Sequence, residues 1–210
     1  LVGAVGALYW GITDQFFLND DFGRLLALQS LQDASLGQAL WSLVDNPYHG
    51  AYYRPLTNLV FYAVGKVAGL DPFWYYVSSI ALHAAATWAV FAVVYELVGS
   101  AGTSRLAPAA IGALVFAVHP RHVESVAYVH DNENILCGLF FFWGLYCGIR
   151  WLDTGRKLHL AGMGCAYLLS LLGKEMGITL PVVWALYAVL WRRGDRAAWY
   201  RAAAVTGGGL

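Results

Sequence analysis

Long apolar runs constrain this chain more than any other feature. Phe73 to Val98 and Ile135 to Leu152 carry almost no charge, over about the 20 residues a helix needs to cross a bilayer. Shorter apolar runs cover Leu106 to Val118, Leu158 to Leu172 and Gly177 to Trp191. In lipid the backbone must satisfy its own hydrogen bonds, which leaves helices as the structure for such runs. Only 12% of the 210 residues are charged and 59% are hydrophobic, against roughly 25% and 45–50% in soluble domains. The expectation is an all-α, polytopic transmembrane bundle in which neighbouring loop residues extend the shorter helices. Leu1 to Ile12 lacks an initiating Met and a basic leader, so it reads as the end of a span rather than a signal peptide. The chain is expected to be one module cut at both ends. It would hold the end of a span over 1–13, an outer loop over 14–72, helical spans over 73–192 and the start of another over 197–210.

The long first loop is mixed in character. Leu25, Leu28 and Leu31, then Leu36, Leu40, Leu43 and Val44, recur at helical spacing between Asp, Asn, Pro and Gly, which predicts short amphipathic helices at the membrane surface. A third, Leu56 to Leu70, is more apolar but contains Lys66.

If loops alternate sides, Arg105, Arg150, Arg156, Lys157, Arg192, Arg193, Arg196 and Arg201 gather on one face. Asp14, Asp20, Asp21, Asp33, Asp45, Asp71, Glu124, Asp131, Glu133 and Glu175 gather on the other. The positive-inside rule puts the basic face in the cytoplasm and the acidic one toward periplasm or lumen. The balance of 13 basic and 13 acidic residues leaves no electrostatic footprint for nucleic acid. Cys137, Cys147 and Cys165 lie within apolar runs without a CxxC pair, and read as buried, inert thiols.

Three polar groups meet on the acidic face. Asp20 and Asp21 either cap a helix beginning near Gly23 or supply a base and an acceptor-binding carboxylate. In the second group, His119 and His122 share one helical face within the string His119-Pro120-Arg121-His122-Val123-Glu124, which continues to Glu133. Such a string suits a metal or an anionic ligand, or is an interfacial cluster. The third, Lys174-Glu175, sits between two apolar runs as an ion pair, a snorkelling Lys or a phosphate contact. Arg54, ahead of Pro55 at a helix start, is either solvated or grips phosphate. Carboxylates and phosphate-binding cations beside a bilayer are what transfer from a lipid-phosphate donor requires. The alternative is a transporter whose polar residues line a path.

The order of these motifs resembles a known family. Asn19-Asp20-Asp21, Tyr53-Arg54-Pro55-Leu56, Leu82-His83, Phe116-Ala117-Val118-His119-Pro120-Arg121-His122-Val123-Glu124 and Lys174-Glu175-Met176-Gly177-Ile178-Thr179 follow in sequence. This is similar to the GT-C superfamily of membrane glycosyltransferases, and most like the transmembrane and tetratricopeptide-repeat O-mannosyltransferases and their bacterial relatives. The resemblance implies an inverting transfer of a sugar, mannose or similar, from a polyprenyl-phosphate-linked donor to a protein or glycan hydroxyl outside the cytoplasm. It makes Asp20 and Asp21 the catalytic candidates, with Asp21 slightly favoured as base. Arg54, His119, Arg121, His122, Glu124, Glu133, Lys174 and Glu175 become the donor and substrate candidates. It implies no cofactor and no metal, although the paired His and acids leave room for one. Members often carry Gly-Arg-x-Glu/Asp after the His-Pro motif. Here Asp131-Asn132-Glu133-Asn134 stands there, with Arg121 as the expected substitute for the Arg. Tetratricopeptide repeats would lie beyond Leu210.

Overall fold

The computed structural model describes residues 1–29, 35, 37–38, 41, 53–99, 104–192 and 195–206, and among these the chain is all-helical. The helices are α1 (Val2–Tyr9), α2 (Asp20–Gln29), α3 (Pro55–Ala68), α4 (Pro72–Leu97), α5 (Leu106–Val118), α6 (His122–Ala127), α7 (Asn132–Thr154), α8 (Lys157–Gly173), α9 (Leu180–Trp191) and α10 (Arg196–Thr206). Tight 3-10 turns occupy Trp10–Asp14, Val129–Asp131 and Glu175–Thr179. Local chemistry sets several ends. The Asp71 carboxylate accepts from the Phe73 amide at 3.1 Å, and Pro72 occupies the first turn of α4, the usual pairing of cap and proline. Gly155, with φ +63°, ends α7 in the left-handed conformation that a side chain would strain.

The expected run Leu106 to Val118 forms α5 residue for residue, and α4 and α8 start and stop one residue from the expected bounds. Two differences bear on function. Helix α7 begins at Asn132 rather than Ile135, which brings Glu133 into its first turn. Helix α2 begins at Asp20 rather than near Gly23. The surface helices expected around Leu31, Leu36, Leu40, Leu43 and Val44, with Asp33 and Asp45, lie outside the described residues, as does Arg193. Cys137 and Cys147 are buried as expected, but Cys165 is exposed on α8.

Glu133, at the start of α7, pairs with Lys174, just past α8, while Arg150, near the end of α7, pairs with Glu96, near the end of α4. Helices α4 and α7 therefore run parallel, with α5 and α8 returning between the same two ends. Helix α3 starts just after Arg54, which also pairs with Glu133, and stops where α4 begins. It lies across the Glu133 end of the bundle instead of passing through it. That explains how it carries Lys66.

Helices Pro72–Leu97 and Val129–Thr154 (α7 with its preceding turn) are long and apolar enough to cross a membrane; Leu106–Val118, Lys157–Gly173 and Glu175–Trp191 are apolar but shorter. The shorter ones keep apolar outer faces. Ile111, Val115 and Val118 are exposed along α5, and Val182, Leu186 and Leu190 along α9. An exposed stripe of this kind is unfavourable in water and ordinary in lipid. The chain is a membrane protein.

Close approach of helices depends on Gly144 and Gly148 of α7. A Cβ on Gly144 would stand 2.7 Å from Leu180 Cδ1, and one on Gly148 2.8 Å from Met163 Sδ and closer still to the Trp184 ring. Small residues four apart are how helices pack where hydrophobic burial cannot drive them together. Gly148→Ala is therefore expected to destabilise the fold by about 1–3 kcal/mol. Gly164→Ala on α8, where no atom lies within 4 Å, should be neutral or slightly stabilising. Thermal unfolding in detergent checks the pair, and equal melting of the two variants would refute the packing role.

Candidate functional site

The first turn of α7 holds the centre of the site. Glu133 is 3% exposed. Its Oε1 accepts from Lys174 Nζ at 3.2 Å, while its Oε2 makes a close ion pair with Arg54 and lies 3.6 Å from Arg24 Nη2. Each cation arrives by a different route. Lys174 sits in the extended break between α8 and the Glu175–Thr179 turn. Arg54 precedes Pro55 at the head of α3, and Arg24 projects from α2 with its guanidinium 5.0 Å from the Phe61 ring centre. Arg54 also reaches Glu175 at 3.5 Å, and the Glu175 side chain is 65% exposed. Three cations thus share one buried carboxylate, and among them Arg54 also pairs with an exposed one.

The network continues from Lys174. Its Nζ donates to Asn134 Oδ1 at 2.7 Å, Asn134 Nδ2 donates to Asp131 Oδ1 at 2.6 Å, and Ser125 Oγ donates to Asp131 Oδ2 at 2.7 Å. Asn134 and Ser125 also line a cavity of about 310 Å³, with His83, Phe116, Arg121 and His122 on its other walls. The phosphate-binding candidates and the His motif therefore belong to one connected region.

The two aspartates separate sharply. Asp21 is fully buried; its Oδ2 accepts from the Leu18 amide at 2.9 Å and its Oδ1 from the His130 amide at 2.6 Å. Instead of capping a helix near Gly23, it ties the head of α2 to the Val129–Asp131 turn. Burial pushes its carboxyl upward, against those two amide bonds and the charge of Arg24. Asp20 is exposed, and its amide donates to Tyr128 Oη at 3.2 Å. Asn19, before it, takes a positive φ of 38°, a conformation Asn tolerates better than most residues.

In the His motif, Arg121 pairs with Glu124 at 2.6 Å, and both side chains are well exposed. Arg121 therefore does not join Glu133. Arg24 does, and sequence reasoning missed it; the available signal was a charge three residues after Asp21 beside the apolar Leu25 and Leu26. His119 Nδ1 accepts from the Arg121 amide at 3.1 Å. His122 packs against Phe116 and His83, with ring centres 4.3 and 5.2 Å away. Among the described residues no three His, Cys, Asp or Glu side chains converge as a metal-ligand set.

Burial, then the proximity of His83, His119 and Arg121, lowers the His122 pKa from 6.5 to about 4. The folded chain then binds fewer protons than the unfolded one between these values. His122 should contribute stability that is intact above pH 6.5 and declines as pH falls toward 4. His122→Gln is expected to flatten that part of a stability–pH curve; an unchanged curve would show that the imidazole is not so buried.

Comparison with known proteins finds relatives of one named kind. Protein O-mannosyl-transferase TMTC4 of Mus musculus is 33% identical over 220 residues, covering 90% of this chain and 29% of that protein. Protein O-mannosyl-transferase Tmtc1 of Drosophila melanogaster is 37% identical over 193 residues, covering 87% of this chain and 21% of its own length. Protein O-mannosyl-transferase TMTC2 of Homo sapiens is 33% identical over 142 residues, 65% of this chain and 16% of that protein. The chain spans less than a third of the length of each of these relatives. No family model matches the chain, and no solved structure matches it significantly. The similarity to TMTC proteins runs across most of the chain and is consistent with a TMTC-like protein O-mannosyl-transferase family.

Proposed function

We propose that this chain carries the sugar-transfer site of an inverting membrane glycosyltransferase. It would move mannose or a similar hexose from a polyprenyl-phosphate donor to a hydroxyl, on a protein acceptor, at the extracytoplasmic face. The observation that carries the reading is the clustering of Arg24, Arg54 and Lys174 on Glu133 at the end of a bundle with apolar flanks, with Asp20 at the head of the helix that supplies Arg24. The polyprenyl tail stays in lipid while its phosphate shares the cations with Glu133. The acceptor oxygen attacks the anomeric carbon and the bond from that carbon to the phosphate oxygen breaks. The hydroxyl proton passes to a carboxylate, and the cations hold the departing lipid phosphate. We assign the base to Asp20, whose carboxylate is accessible, and a positioning role to Asp21, whose two oxygens are held by backbone amides. The basic loops at the opposite end would face the cytoplasm.

The test is hexose transfer to a peptide by the reconstituted protein, offered either polyprenyl-phosphate mannose or a nucleotide-linked mannose. Transfer is expected from the lipid donor alone. Lys174→Gln should raise KM for that donor by about ten-fold or more, the loss expected for a hydrogen bond to a charged group. Transfer from the nucleotide sugar alone, or a lipid-donor KM untouched by Lys174→Gln, would overturn the reading.

A further inference from the structure

The far end of the bundle holds a second polar cavity that the transferase reading does not use. Arg150 is 17 positions beyond Glu133 on α7, so at 1.5 Å per residue the two lie about 26 Å apart along the helix. The cavity, about 440 Å³, is lined by Glu96, Arg105, Arg150, Asp153, Tyr187 and Arg192, with Leu97 and Trp191 at its edge. Arg150 pairs with Glu96 at 3.2 Å, and Arg192 makes a close ion pair with Asp153 and donates to Tyr187 Oη at 3.2 Å. Arg105 rests 5.6 Å from the Tyr95 ring centre and has no carboxylate partner among the described residues. The Arg150 Nε is buried without an acceptor among those residues. Three guanidinium groups therefore face two carboxylates across an open space, and one buried donor is unused.

We propose that this cavity binds a phosphate group, and that its source is an anionic membrane lipid. Guanidinium groups match phosphate oxygens in geometry and charge. The edge favours a lipid over a free phosphate. Trp191 is 63% exposed and Leu190 51% exposed, an apolar rim that meets acyl chains beside the headgroup. The inference does not depend on the transferase reading, because none of these residues belongs to the Glu133 network.

Arg105→Gln is the cleanest probe, since its described side-chain contact is a ring face and not a buried ion pair. The full chain in nanodiscs would be titrated with phosphatidylglycerol, phosphatidylcholine or inorganic phosphate. Bound lipid would be counted by native mass spectrometry. Phosphatidylglycerol should bind in preference to phosphatidylcholine, and Arg105→Gln should weaken it about five-fold, the effect of one cation near an anionic headgroup. Arg156→Gln, exposed at the same end but outside the cavity, should leave binding unchanged. An equal loss in both variants would mean diffuse surface attraction and overturn the site. Equal binding of the two lipids would overturn it as well. Binding of inorganic phosphate with the same sensitivity to Arg105→Gln would overturn the lipid source and assign the cavity to a soluble phosphate.

Discussion

Glu133→Ala is expected to destabilise the protein by about 3–5 kcal/mol, the range for removing one partner from a buried ion pair. The reason is what it leaves behind. Arg24, Arg54 and Lys174 approach a single carboxylate that is 3% exposed. Without it, three cations drawn from α2, α3 and the α8–α9 break would repel each other in a desolvated space. Glu175→Ala provides the contrast. It removes another carboxylate from Arg54, but one 65% exposed, where ion pairs contribute about 0–1 kcal/mol. Unfolding by denaturant in detergent micelles should separate the two variants clearly. Added salt should narrow the Glu175 effect before the Glu133 effect, because buried charges are screened less. If Glu133→Ala unfolds like the parent chain, the carboxylate does not organise the site.

The physical character of each signal decided what the sequence could reveal. An apolar run requires only a count, so Leu106 to Val118 was legible residue for residue. The start of α7 was not, because Asn132-Glu133-Asn134 has the composition of a loop. Those polar residues are held in a helix by partners far away in sequence, Lys174 and Arg54 for Glu133 and Lys174 for Asn134. Arg24 was hidden for a related reason. An isolated Arg on an amphipathic helix looks solvated until α3 and α7 close over it. Arg121, expected to supply the missing family Arg, pairs locally with Glu124, an interaction that its spacing of three already permits, and lines the cavity beside His122. The motif strings disclosed the family without disclosing which side chains are accessible. Asp20 and Asp21 are adjacent and chemically identical, and only the fold distinguishes them.

That distinction leads to the largest expected effect on activity. Asp20→Asn should lower kcat by about 10²–10⁴-fold, the usual contribution of a general base, with donor KM little changed. Its backbone bond to Tyr128 survives the substitution, so the fold should persist and thermal stability should stay close to that of the parent. Asp21→Asn should behave differently. An amide carries one acceptor oxygen, whereas Asp21 accepts from both Leu18 and His130. One backbone N–H would therefore face an NH2 group in a buried space, at a cost of about 1–3 kcal/mol. Activity in that variant should fall together with stability. The two measurements, rate and melting, then separate base from positioning residue even if both variants transfer sugar poorly. A stable Asp21→Asn that loses kcat, beside a fully active Asp20→Asn, would reverse the assignment. The reacting proton would then pass to a buried carboxylate whose pKa is already raised by its surroundings, and acceptor binding would have to open the junction between α2 and the Val129–Asp131 turn to reach it.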